Sequence, residues 1–81
     1  MAKKVVSSST GEVFEVKDSD LHWEEVSREE RQMGAEVFYE ASVEFTASDG
    51  STVTYTEEAS VYPAGSPMEV YNTSVEGGVL A

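Results

Sequence analysis

From Val37 to Tyr62 the chain reads VFYEASVEFTASDGSTVTYTEEASVY, and apolar and polar residues take turns along it almost without a break. A period of two belongs to a strand with one buried face. Val37, Tyr39, Ala41, Val43 and Phe45 share one face of a first strand. Val53, Tyr55, Glu57, Ala59 and Val61 share one face of a second. The turn decides how they meet. A two-residue Asp-Gly turn would pair Phe45 with Thr54 and set core against solvent, because a slip of one residue flips every side chain. A three-residue loop, Ser48-Asp49-Gly50, with Gly50 in the left-handed region, avoids this. It pairs Phe45 with Val53, Val43 with Tyr55, Ala41 with Glu57, Tyr39 with Ala59 and Val37 with Val61. The reverse face then carries Glu36, Phe38, Glu40, Ser42 and Glu44 against Tyr62, Ser60, Glu58, Thr56 and Thr54. Glu40 falls opposite Glu58, and like charges so placed destabilise a sheet. A bulge in TEEAS would ease that pair and release Glu57 from the apolar face.

The rest of the chain is read the same way. KKVV and EVFEV form two short strands joined by SSSTG, and KDSD breaks the pattern. LHWEEVSREERQMG is ambiguous. As a helix it would be capped by Ser19 or Asp20 and ended by Gly34, but Leu21, Trp23, Val26 and Met33 make a poor 3.6-residue stripe. The favoured reading is mixed: a strand over Leu21–Val26, then a short helix around 27–33 opened by the capping box SREE and stopped at Gly34. YPAGSP ends the second long strand, since proline cannot donate to a ladder. MEVYN reads as one more short strand. Gly77-Gly78 suggests a flexible end over 72–81, with Val79 and Leu80 able to dock. The fold class expected is mainly β, a small antiparallel meander of about four to six strands. The alternative is α+β, with a helix over about 20–33 packed on the sheet.

Eighty-one residues make one domain with a thin core. Without cysteine, packing or a partner has to support it. The start, MAKKVVSSSTGEVF, has no apolar run of the kind a secretory signal needs, and no stretch approaches the ~20 apolar residues that span a bilayer. The layout of charge matters more than its total of −11. Residues 1–31 hold all five basic residues against eight acids, while residues 32–81 hold eight acids and no Lys or Arg. Such a field repels nucleic acid and anionic membranes and attracts basic surfaces. It also serves plain solubility.

Candidate chemistry changes this picture little. Asp18, Asp20, His22 and Glu24 point one way on an extended chain, yet they lack the pattern of a calcium loop, and one imidazole does not make a zinc site. A lone histidine with scattered serines makes no triad, and Glu57 and Glu58 point to opposite faces of a strand. Neither an enzyme, a metal nor a cofactor is expected. Trp23 and the tyrosines lack the neighbouring cations that base stacking uses, so core packing is the expected role. Phe38 and Tyr62, on the acidic face, are the exceptions and read as binding anchors.

The function expected is a non-enzymatic acidic binding protein, a nucleic-acid mimic whose carboxylates stand where phosphates would stand. Glu36, Glu40 and Glu44 would be spaced by about 13 Å along one strand. Glu58 would lie about 5 Å from Glu40 across the ladder. The partner-binding residues expected are Glu36, Phe38, Glu40, Glu44, Asp49, Glu57, Glu58 and Tyr62. In size and acidity the chain is similar to phage-encoded inhibitors of bacterial defence, the anti-CRISPR and anti-restriction proteins. That resemblance implies a stoichiometric inhibitor in the cytoplasm of a bacterial host, monomeric or homodimeric, that blocks a basic groove without touching nucleic acid or membrane. The alternative is an acidic or self-associating β module with no inhibitory role.

Overall fold

The computed structural model describes residues 3–81. Seven strands follow one another: β1 (Lys3–Ser7), β2 (Val13–Val16), β3 (Glu24–Arg31), β4 (Gly34–Thr46), β5 (Thr52–Val61), β6 (Glu69–Glu76) and β7 (Gly78–Leu80). A single 3-10 turn at Asp18–Asp20 separates β2 from β3. The strands form two antiparallel sheets, one ordered β2-β1-β7 and one ordered β3-β4-β5-β6. The chain is therefore mainly β, as its alternation requires. The single meander expected is instead a four-stranded meander with a second, three-stranded sheet.

The β4–β5 register is the one the apolar pattern demands, from Val37 opposite Val61 to Phe45 opposite Val53. The Ala47 amide donates to the Ser51 carbonyl at 2.8 Å and the Gly50 amide to the Ala47 carbonyl at 3.0 Å. Gly50 has φ +86, so the three-residue turn is closed by the left-handed residue it needs.

No helix forms over 27–33, and none packs on either sheet among the described residues. Glu24–Arg31 is strand β3, exposed along its whole length. SREE satisfies a capping box on paper, but an isolated short helix is marginal in water. β4 offers a long edge that can satisfy the same backbone groups in a ladder. A tight turn at Gln32–Met33 sets Arg31 opposite Gly34, and the ladder runs from there to Glu24 opposite Glu40. The strand expected over Leu21–Val26 accordingly begins at Glu24 and runs on past Val26. The segment 72–81, expected as a flexible end, completes β6 and forms β7, whose Val79 and Leu80 pair with Val6 and Val5 of β1.

The three-stranded sheet lies against one end of the other. Val5, Val16, Val53 and Tyr55 are buried there, with Phe14, Leu21, Val43, Phe45 and Val75 packed around them. Phe14 stacks on Phe45 at 5.1 Å between ring centroids. The short strands reach only part of the way along β4, whose thirteen residues span about 43 Å. The molecule is accordingly long and thin, 49 × 22 × 16 Å. At Gly77, with φ +81, the chain crosses from one sheet to the other, so close to β5 that a Cβ would meet the Thr52 carbonyl oxygen.

Candidate functional site

Residues opposite each other in an antiparallel ladder share a face. The registers of β3 to β6 therefore place Glu24, Glu40, Glu58 and Asn72 in one row across the sheet, and Ser27, Phe38, Ser60 and Glu69 in the next. Glu29 and Glu36 follow on one side, Glu44, Thr54 and Glu76 on the other. This face looks away from the core and carries eight glutamates: Glu24, Glu29, Glu36, Glu40, Glu44, Glu58, Glu69 and Glu76. Arg31 is the one cation that the registers put among them. Its guanidinium bonds Glu29 and Glu36, each at 2.6 Å, and its pKa is raised chiefly by the hydrogen bond to Glu36.

Glu40 does sit opposite Glu58. The sheet manages the pair through β6. The bulge lies there and not in β5: Glu58 faces Asn72 while Ala59 faces Val70, which leaves Tyr71 as the extra residue. Both Tyr71 and Asn72 thereby reach Glu58. The tyrosine hydroxyl and the Asn72 amide each donate to its carboxylate at 3.1 Å. The Tyr71 hydroxyl is held above its usual range by desolvation first and by Glu58 second. Tyr71 also meets Phe38 edge to face, at 6.4 Å and 89°. The centre of the face is thus an aromatic pair within a ring of carboxylates. Beside it Glu36, Ser60, Tyr62 and Glu69, with Ser66 and Pro67 of the β5–β6 loop, line a groove of about 340 Å³.

Six of the eight residues expected to bind a partner meet on this surface: Glu36, Phe38, Glu40, Glu44 and Glu58 across the sheet, and Tyr62 at the groove. Asp49 stands apart at the β4–β5 turn, where its carboxylate accepts from the Ser51 amide (3.0 Å) and hydroxyl (2.6 Å), which lowers its pKa. Glu57 lies on the opposite face. No bulge interrupts β5 against β4, so Glu57 stays in the interior, 4 % exposed. Lys3 of β1 pairs with it at 3.1 Å and the Tyr55 hydroxyl donates to it at 2.7 Å. This trio ties one sheet to the other.

Sequence reasoning missed Glu24, Glu29, Glu69, Glu76 and Tyr71. Reading SREE as a helix start hid Glu29, and Glu24, placed on a short strand over Leu21–Val26, had no pairing with β4 to bring it to this face. The bulge in β6 shifts the alternation, and no local signal marks it. Carboxylates offer acceptors only, so the face suits guanidinium and ammonium groups and repels phosphate. Among the described residues no group of three or more His, Asp or Glu could hold a metal ion. No helix there is long and apolar enough to cross a membrane. Comparison of the chain with protein-family models, with curated proteins and with solved structures gives no significant match.

Proposed function

We propose that this is a non-enzymatic binding protein whose acidic sheet face mimics nucleic acid and occupies the basic groove of a DNA- or RNA-binding protein, in the manner of anti-CRISPR and anti-restriction inhibitors. The observation that carries the reading is eight carboxylates against one guanidinium on a single face of a four-stranded sheet. Glu24, Glu40 and Glu58 lie on neighbouring strands, each about 4.8 Å from the next, a density of the order of a phosphate backbone. The sheet holds them in place, so a partner's cations meet a preset array. Phe38 and Tyr71 supply apolar contact at its centre. Action is stoichiometric, inside a bacterial host, and weakens with salt.

A second reading, an acidic interaction module without inhibition, draws on the exposed edge of β6. One experiment separates them. Immobilised protein is incubated with nuclease-treated bacterial lysate and eluted with rising salt. Capture of nucleic-acid-binding proteins that added duplex DNA or RNA displaces supports mimicry. Capture that nucleic acid does not displace, or that survives the joint change of Glu36, Glu40, Glu44 and Glu58 to Gln, overturns it.

A further inference from the structure

Four strands form the rims of the two sheets: β2, β7, β3 and β6. Three of them discourage a further strand. β2 and β7 have four and three residues. β3 carries charged side chains at Glu24, Glu25, Arg28, Glu29, Glu30 and Arg31, and its register breaks at Val26. Shortness, charge and bulges are the devices that keep sheet edges from pairing. β6 differs. Its only charges are at its ends, Glu69 and Glu76, and its bulge lies near its start, at Tyr71. From Asn72 to Glu76 its register with β5 is regular, and among the described residues no strand lies on its other side.

We propose that β6 is a docking edge on which an extended basic segment of the partner adds a fifth strand to the sheet. This rests on the reading of the acidic face and adds to it the path of the partner's backbone and the pattern of its side chains. On one side the added residues would lie beside Asn72, Ser74 and Glu76 and near Glu58; on the other, beside Thr73 and Val75. A segment alternating Lys or Arg with β-branched residues matches both sides. A second copy of β6 matches the apolar side alone and sets acid against acid on the other. The antiparallel pairing that sets Val70 against Val75 also sets Glu69 against Glu76 twice, and it joins two faces of the same charge.

The probe is an acetylated and amidated heptapeptide, Lys-Val-Lys-Val-Lys-Val-Lys. Its control is the same peptide methylated at every backbone nitrogen, which keeps the charge and removes the ladder donors. Binding and amide hydrogen exchange are measured by NMR on the intact protein. The unmethylated peptide is expected to slow exchange at 72–76 and to bind at least about tenfold more tightly than its control. Equal binding of the two forms, no binding of either, or a protein dimer that buries β6 in place of the peptide overturns the proposal. The variant E40Q/E58Q keeps the two ideas apart. It should weaken both peptides through charge alone, and if it weakens neither, the reading of the face fails on its own account.

Discussion

Glu57 is the residue that departs most from its setting: a carboxylate on the buried face of β5, paired with a Lys3 side chain that is itself 47 % exposed. Removing Lys3 leaves a buried charge with one donor, Tyr55. Because the lysine is half in water, the cost is discounted to about 1–2 kcal/mol. Lys3→Met should lower the urea midpoint accordingly, and Lys3→Met with Glu57→Gln, which removes the buried charge and keeps an acceptor for the Tyr55 hydroxyl, should recover most of the loss. The trio also sets an alkaline limit. Lys3 is raised above 10.5 first by its hydrogen bond to Glu57, and Tyr55 above 10.0 first by burial. Both groups hold their protons more tightly when folded. Their contribution is complete below the unfolded pKa values and falls as pH climbs through the raised ones, so stability should drop above about pH 10. In Lys3→Met that drop should be shallower, with only the Tyr55 part left. On the other face, Glu40→Thr removes a like charge opposite Glu58 and leaves Tyr71 and Asn72 on it. It should stabilise the fold by about 0.2–1 kcal/mol in chemical denaturation.

The β4–β5 hairpin was legible in full, down to its register, because ten alternating positions and one glycine leave a single arrangement that keeps apolar side chains together. β3 was not. Its side chains are all exposed, so no apolar period announces it, and its capping signal is overruled by the open edge of β4. The expectation that Glu57 would be released failed for a related reason: the irregularity near TEEAS falls on the neighbouring strand, where pairing creates it. The joint between the sheets was equally silent in sequence. Gly77 shows its role only when Thr52 is seen beside it, and Gly77→Ala should cost at least about 2 kcal/mol by denaturant titration, from φ strain and the carbonyl contact together. A second tie between the sheets runs from Glu12, whose carboxylate accepts from the Ser48 amide at 2.7 Å and has a pKa lowered by that residue. Its contribution is present above 4.5 and fades as pH falls through the lowered value. Glu12→Ala should therefore flatten the acid side of the stability profile.

At the scale of the molecule, charge and shape point the same way. A compact domain of this length would have a radius of gyration near 12 Å, whereas the Cα atoms give 15.0 Å. The excess comes from a sheet longer than the one packed on it, and that sheet displays its acidic face along its length. Net charge was plain in the sequence. The gathering of eight carboxylates on one side was only half plain, since it depends on where β3 and β6 pair. The most direct test takes the protein captured most tightly from lysate and measures its dissociation constant for wild type and for E24Q/E40Q/E58Q at two salt concentrations. The account predicts a loss of at least about 100-fold, a weaker salt dependence, and a fold no less stable than wild type. An unchanged affinity with an unchanged salt dependence would contradict it.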